Sequence, residues 1–170
     1  GIFKSVDGAR SWDILPTTSD GLESVFNSPF NYIWTMAIDH TNLDQDVVYA
    51  AVYGSIIRSD DGGDTWETSL GPDLLDNVPS ADFNQFGVSF YTNILITPSG
   101  TLYATLSSFT SQGNRSFRKG VFQSKDGTTW ENITPIGFAE FHERTVMSYA
   151  PSNENSVYFA VDNGDLEIWK

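Results

Sequence analysis

The residues "RSDDGGDTWETSL", 58 to 70, gather Asp60, Asp61 and Asp64 around two glycines and Thr65. Carboxylates packed this closely suit two kinds of chemistry. They can ligate a hard cation such as calcium, or they can accept backbone N–H groups inside a tight turn. A calcium loop needs five or more oxygen ligands spread over about twelve residues, with a bidentate Glu near its end. Glu67 stands too close to Asp61 for that role. Aspartates at turns bond the main chain a few residues on, and glycine supplies the positive φ. The turn is the expectation, with no metal and no cofactor.

The stretch recurs. Residues 1–12 read "GIFKSVDGARSW", 54–66 read "GSIIRSDDGGDTW" and 120–130 read "GVFQSKDGTTW". Each has a Gly, an apolar pair, Ser-x-Asp and a closing Trp. The two flanking copies lack Asp60 and Asp64, which counts against a shared metal site. Around these copies lie β-branched and aromatic runs, "VVYAAVYG", "TLYATLSS" and "SVYFAVDNG", whose tyrosines Tyr49, Tyr103 and Tyr158 are 54 and 55 residues apart. The middle unit divides into four short strands near 33–39, 47–53, 55–60 and 65–70, and no helical period competes. Four-stranded units repeating at this distance are the pattern of β-propeller blades. Ten extra residues lie between Tyr103 and Gly120, inside "SSFTSQGNRSFRKG".

Ser59, Asp61, Gly63, Thr65 and Trp66 resemble, position for position, the Asp-box, or bacterial neuraminidase repeat, of sialidases, xyloglucan-cleaving glycosidases and sortilin-type receptors. Ser5, Asp7 and Trp12 match it with Ala9 at the glycine position, and Ser124, Asp126, Gly127 and Trp130 match it one residue short. The resemblance implies an all-β fold: a propeller segment of about three four-stranded blades within a larger propeller. The blade limits expected are 1–20 (the end of one blade), 33–70, 91–134 and 145–170 (an incomplete blade). It also implies that the boxes lie on the lower rim and that ligands bind at the upper face.

Composition narrows the partners. A net charge of −13 with a pI near 4.2 argues against broad contact with nucleic-acid phosphates. No apolar run is long enough to span a membrane. Without cysteine, neither disulfides nor thiolate metal sites arise. The expectation is an exported, extracellular or cell-surface bacterial protein whose upper face takes a glycan or protein ligand.

The upper-face loops expected are 16–32, 71–90, 108–119 and 135–144. They carry Phe26, Phe30, Tyr32, Phe83, Phe86, Phe90, Phe138 and Phe141, most of them expected to wedge between blades. Arg115, Phe117, Arg118 and Lys119 bring three of the chain's nine cations into five positions. With Phe86, Phe141, His142 and Arg144, these are the candidate ligand contacts. A catalytic set is harder to assemble. The resemblance to sialidases implies an arginine triad opened by Arg-Ile-Pro, a motif this chain lacks, and Arg10 and Arg58 belong to boxes. Other propeller glycosidases need two carboxylates flanking the bond, and Glu140, Glu143 and Asp82 cannot be paired from sequence. A non-catalytic binding or scaffold module is favoured, and part of a glycoside hydrolase is the alternative. "GIFKS" opens in the middle of a blade and "GDLEIWK" closes in one. The expectation is that Gly1 and Lys170 bound a segment, with further blades coming from the same chain or another subunit.

Overall fold

The structure, a computed structural model, describes residues 1–19, 21, 28–73, 75, 88–110 and 118–170. The described residues form four antiparallel sheets. The first is the hairpin of β1 (Phe3–Lys4) and β2 (Asp13–Ile14). The second runs β3 (Ile33–Asp39), β4 (Val47–Val52), β5 (Ser55–Ser59), β6 (Glu67–Leu70). The third runs β7 (Thr92–Ile96), β8 (Leu102–Leu106), β9 (Gly120–Ser124), β10 (Glu131–Asn132). The fourth has β11 (Thr145–Ala150), β12 (Asn153–Asp162) and β13 (Leu166–Trp169). In each sheet the strands lie side by side in chain order, as short turns between antiparallel neighbours dictate.

Period-2 alternation then builds the core. All six residues of β4 are buried, and successive side chains serve opposite neighbours. Val47, Tyr49 and Ala51 face the third sheet and pack with Ile94, Leu102, Ala104, Leu106 and Phe122. Ala50 and Val52 face the other way, with Ile57, Ile2, Phe30 and Trp66. The next junction holds Val121, Phe159 and Val161 with Phe138, Met147 and Trp169. The core is therefore a series of sheet-on-sheet layers. β7 packs against both β3 and β11, so the first strands of the second, third and fourth sheets face one another in turn. Thr35 Oγ1 accepts the Ile94 N–H at 3.2 Å across one such contact.

The turns between β5 and β6 sit at one end of the sheets, below. The β4–β5 turn and the segments leading into β3, β7 and β11 sit at the other end, above. An apolar cleft of about 480 Å³ opens beside the β1–β2 hairpin, lined by Phe3, Trp12, Met36, Ile38, Val48 and Trp66. Lys4 at its edge is committed to the Gly62 carbonyl (3.2 Å) and to Asp46 (3.6 Å). The cleft is a gap between sheet faces, without the convergent polar groups of a ligand pocket.

Candidate functional site

The acidic stretch closes a turn. Ser59 Oγ accepts the Gly63 N–H (2.8 Å) and donates to Asp61 (2.7 Å). Asp61 then accepts the Thr65 N–H (2.9 Å) and the Thr65 hydroxyl (2.6 Å). The same four-part circuit recurs at Ser5, Asp7, Ala9 and Ser11. At the third turn Ser124, Asp126, Gly127 and Thr129 repeat its backbone part, although the turn is one residue shorter. Ala9 occupies the glycine position with φ +67, where Gly63 has φ +101. Both Asp61 oxygens are taken by protein donors, and Asp60 leans to Arg58 at 3.4 Å. Among the described residues no group of acids or histidines is placed to hold a metal.

These donors pull the carboxyl pKa values down. The Ser11 N–H and hydroxyl, with Ser5, lower Asp7 from 3.8 to about 2. The Thr65 hydroxyl and N–H hold Asp61 below the usual range, and the Thr129 and Thr128 N–H groups do the same to Asp126. A carboxyl depressed in the folded state contributes stability above its unfolded pKa and loses it as pH falls through the folded one. The contribution of these three carboxyls to unfolding free energy should therefore be level above about pH 4 and decline steadily as pH falls below it. Asp61→Ala should lower the melting temperature by several degrees and flatten part of that acid limb, while millimolar calcium changes neither protein. A calcium-dependent rise in melting temperature that Asp61→Ala removes would overturn the turn reading.

The opposite end of the sheets has a different chemistry. Tyr32 and Trp34 at the start of β3, Tyr53 in the β4–β5 turn, Phe90 and Tyr91 ahead of β7, Phe109 after β8 and Phe141 ahead of β11 form one run of rings. Trp34 lies 5.0 Å from Tyr91 and 5.6 Å from Phe90; Tyr91 stacks on Phe109 at 6.3 Å, and Phe109 meets Phe141 at 6.5 Å. Tyr32 and Tyr53 join through Phe90. The Trp34 indole N–H donates to the Phe90 carbonyl at 2.9 Å, fixing its plane. Tyr32, Trp34, Phe90, Tyr91 and Phe109 are half-buried, Tyr53 is buried and Phe141 is exposed.

No family model and no curated protein matches the chain. A crystal structure of an ancestral GH74 enzyme superposes with a TM-score of 0.52 at 15% identity, over 99% of this chain and 21% of that one. The chain folds as a segment of a β-propeller. It spans about a fifth of the length of that structure, and its sheets are blades with the aromatic run on their upper face.

The expected ligand contacts divide. Phe86, Arg115 and Phe117 lie outside the described residues, as do Phe26, Phe83 and Asp82. Phe141 ends the aromatic run and is exposed. Lys119 donates to the Glu140 carbonyl at 2.9 Å and pairs with its carboxylate at 3.7 Å. Arg118 lies over the Phe122 ring at 5.9 Å, and Arg144 is exposed at the entry to β11. His142 corrects the expectation. It is 2% exposed, with Nδ1 3.0 Å from the Ala139 carbonyl and Nε2 3.1 Å from that of Leu106, so neither nitrogen is offered to a ligand. Phe30 and Phe138 are core wedges, against Trp66 and Trp169 respectively. Sequence reasoning passed over Trp34, Tyr53, Tyr91 and Phe109. Their signal was their place at the upper end of a strand, next to loops already singled out.

Proposed function

We propose that this chain belongs to the Asp-box class of β-propellers and that its upper face binds a glycan, without hydrolysing it within this segment. The observation that carries this reading is the continuous run from Trp34 through Tyr91 and Phe109 to Phe141. Half-buried rings fixed by their neighbours offer apolar surface at little entropic cost. A pyranose ring offers an apolar C–H face to such a surface and hydroxyls to the polar rim. Lys119, bonded to Glu140, lies at the Phe141 end of the run, with Arg118 and Arg144 close to these residues in the chain. An exported or cell-surface location suits the acidic surface and the lack of cysteine, and is part of the proposal.

The superposition on a GH74 enzyme favours a second reading, in which the segment is part of a glycoside hydrolase. Two carboxylates above the described sheets are occupied, Asp73 by Thr68 and the Leu75 N–H and Glu140 by Lys119, while Glu143 stands half-buried at the entry to β11. Trp34→Ala should weaken binding of β-linked oligosaccharides by about tenfold or more in titration calorimetry, with the circular dichroism spectrum retained. Equal affinity in the variant would discard the aromatic face as the site. Release of reducing ends from a bound oligosaccharide would favour the hydrolase.

A further inference from the structure

The Phe109–Phe141 end of the aromatic face is held by one buried residue. His142 donates its N–H to Ser108 Oγ (2.6 Å), and its carbonyl accepts the Ser108 hydroxyl (2.9 Å) and the N–H groups of Ser108 (3.0 Å) and Phe109 (3.2 Å). Its ring reaches back to Leu106 on one side and to Ala139 on the other, and lies edge-on to Phe138 at 4.9 Å. The loop after β8 and the segment before β11 are thus joined at His142, as they are again between Lys119 and Glu140, and each presents one ring beside the histidine.

The imidazole has a proton problem. A neutral ring carries one N–H, yet both nitrogens face carbonyl oxygens, so one contact sets lone pair against lone pair. A second proton would satisfy both carbonyls but bury a charge. We propose that His142 is the positioning residue for this end of the binding face, and that acid loosens the junction by charging its ring. The consequence for ligand rests on the glycan-binding reading; the junction itself does not.

The surroundings set the sign. The loop 106–110 contributes no titratable group. Arg118 and Lys119 precede β9, Glu140, Glu143 and Arg144 lie on the histidine's own segment, and Asp162 of β12 pairs through its main chain with Glu143 and Arg144. Burial lowers the His142 pKa from 6.5 more than the two carbonyls raise it, and the Lys119 charge adds to the lowering. A histidine depressed in the folded state stabilises it fully above the unfolded pKa. That contribution falls away as pH drops from 6.5 towards the folded value.

Hydrogen exchange on the intact chain reads this without any ligand. Corrected for intrinsic rates, the Ser108, Phe109 and His142 amides should lose protection as pH falls from 7.5 to 5, while the β4 amides keep theirs. In His142→Gln, whose amide does not titrate, that pH dependence should vanish. Should this variant fail to fold, ring ¹⁵N shifts of the unaltered protein give the midpoint. A midpoint at or above 6.5, or protection independent of pH, overturns the proposal. With the junction opening as expected, oligosaccharide affinity that ignores pH would remove the glycan reading and leave the latch.

Discussion

Gly127→Ala should destabilise the protein by about 3 kcal/mol, the combined scale of a residue forced to positive φ and an overpacked contact. Gly127 has φ +71, and a Cβ there would run into the Tyr49 hydroxyl and come within 2.8 and 2.9 Å of two ring carbons. Tyr49 cannot retreat. It is 2% exposed and locked in the core between the second and third sheets. Urea unfolding checks the value. Tyr49→Phe removes the colliding oxygen, so a double-mutant cycle should return a favourable coupling of about 1 kcal/mol. Additive effects would show that the backbone conformation alone carries the cost.

Ile56→Ala and Ile57→Ala should each cost about 2–4 kcal/mol, as expected for removing a fully buried branched side chain. Both residues are 0% exposed, but on opposite faces of β5. Ile56 belongs to the layer shared with the third sheet and Ile57 to the layer shared with the β1–β2 hairpin. Ile38→Ala, at a position 60% exposed, should stay below about 1 kcal/mol. Denaturant midpoints of the three variants test the layered core. A cost at Ile57 as small as at Ile38 would mean that the hairpin layer contributes little to global stability.

The fold was legible because its determinants are local. A Ser-x-Asp-x-Gly pattern favours a tight turn by itself, and "VVYAAV" is a β-branched and aromatic run of strand length. The strands of the middle unit fall at 33–39, 47–52, 55–59 and 67–70, within a residue or two of the expectation. The aromatic face was only half legible. Tyr32, Phe90 and Phe141 stood out because they lie in loops, whereas Trp34 and Tyr91 stood in or beside strand patterns and drew no reading of their own. Which ring ends up solvated depends on the neighbouring sheet, and a single strand does not encode that. His142 misled for the opposite reason. A histidine beside Glu143 and Arg144 looks reactive in one dimension, but the loop that buries it lies more than thirty residues upstream at Leu106 and Ser108.

The hairpins also touch the sheet before them, and they do so through main-chain atoms. Ser69 of β6 donates to the Gly127 carbonyl at 2.6 Å, Lys4 of β1 to that of Gly62 at 3.2 Å, and Thr17 to that of Gly63 at 3.4 Å. A carbonyl is the one acceptor that every amino-acid sequence provides. On the hairpin's side these bonds survive drift in side chains, and only the donor on the preceding unit has to be kept. When a stretch of about 54 residues is copied in the gene, its product carries a ready-made plug for the unit before it. It needs only one donor there, which serine, lysine and threonine each supply in this chain. Units can therefore be added or lost while the upper loops diverge freely, as the ten residues inserted between Tyr103 and Gly120 have done.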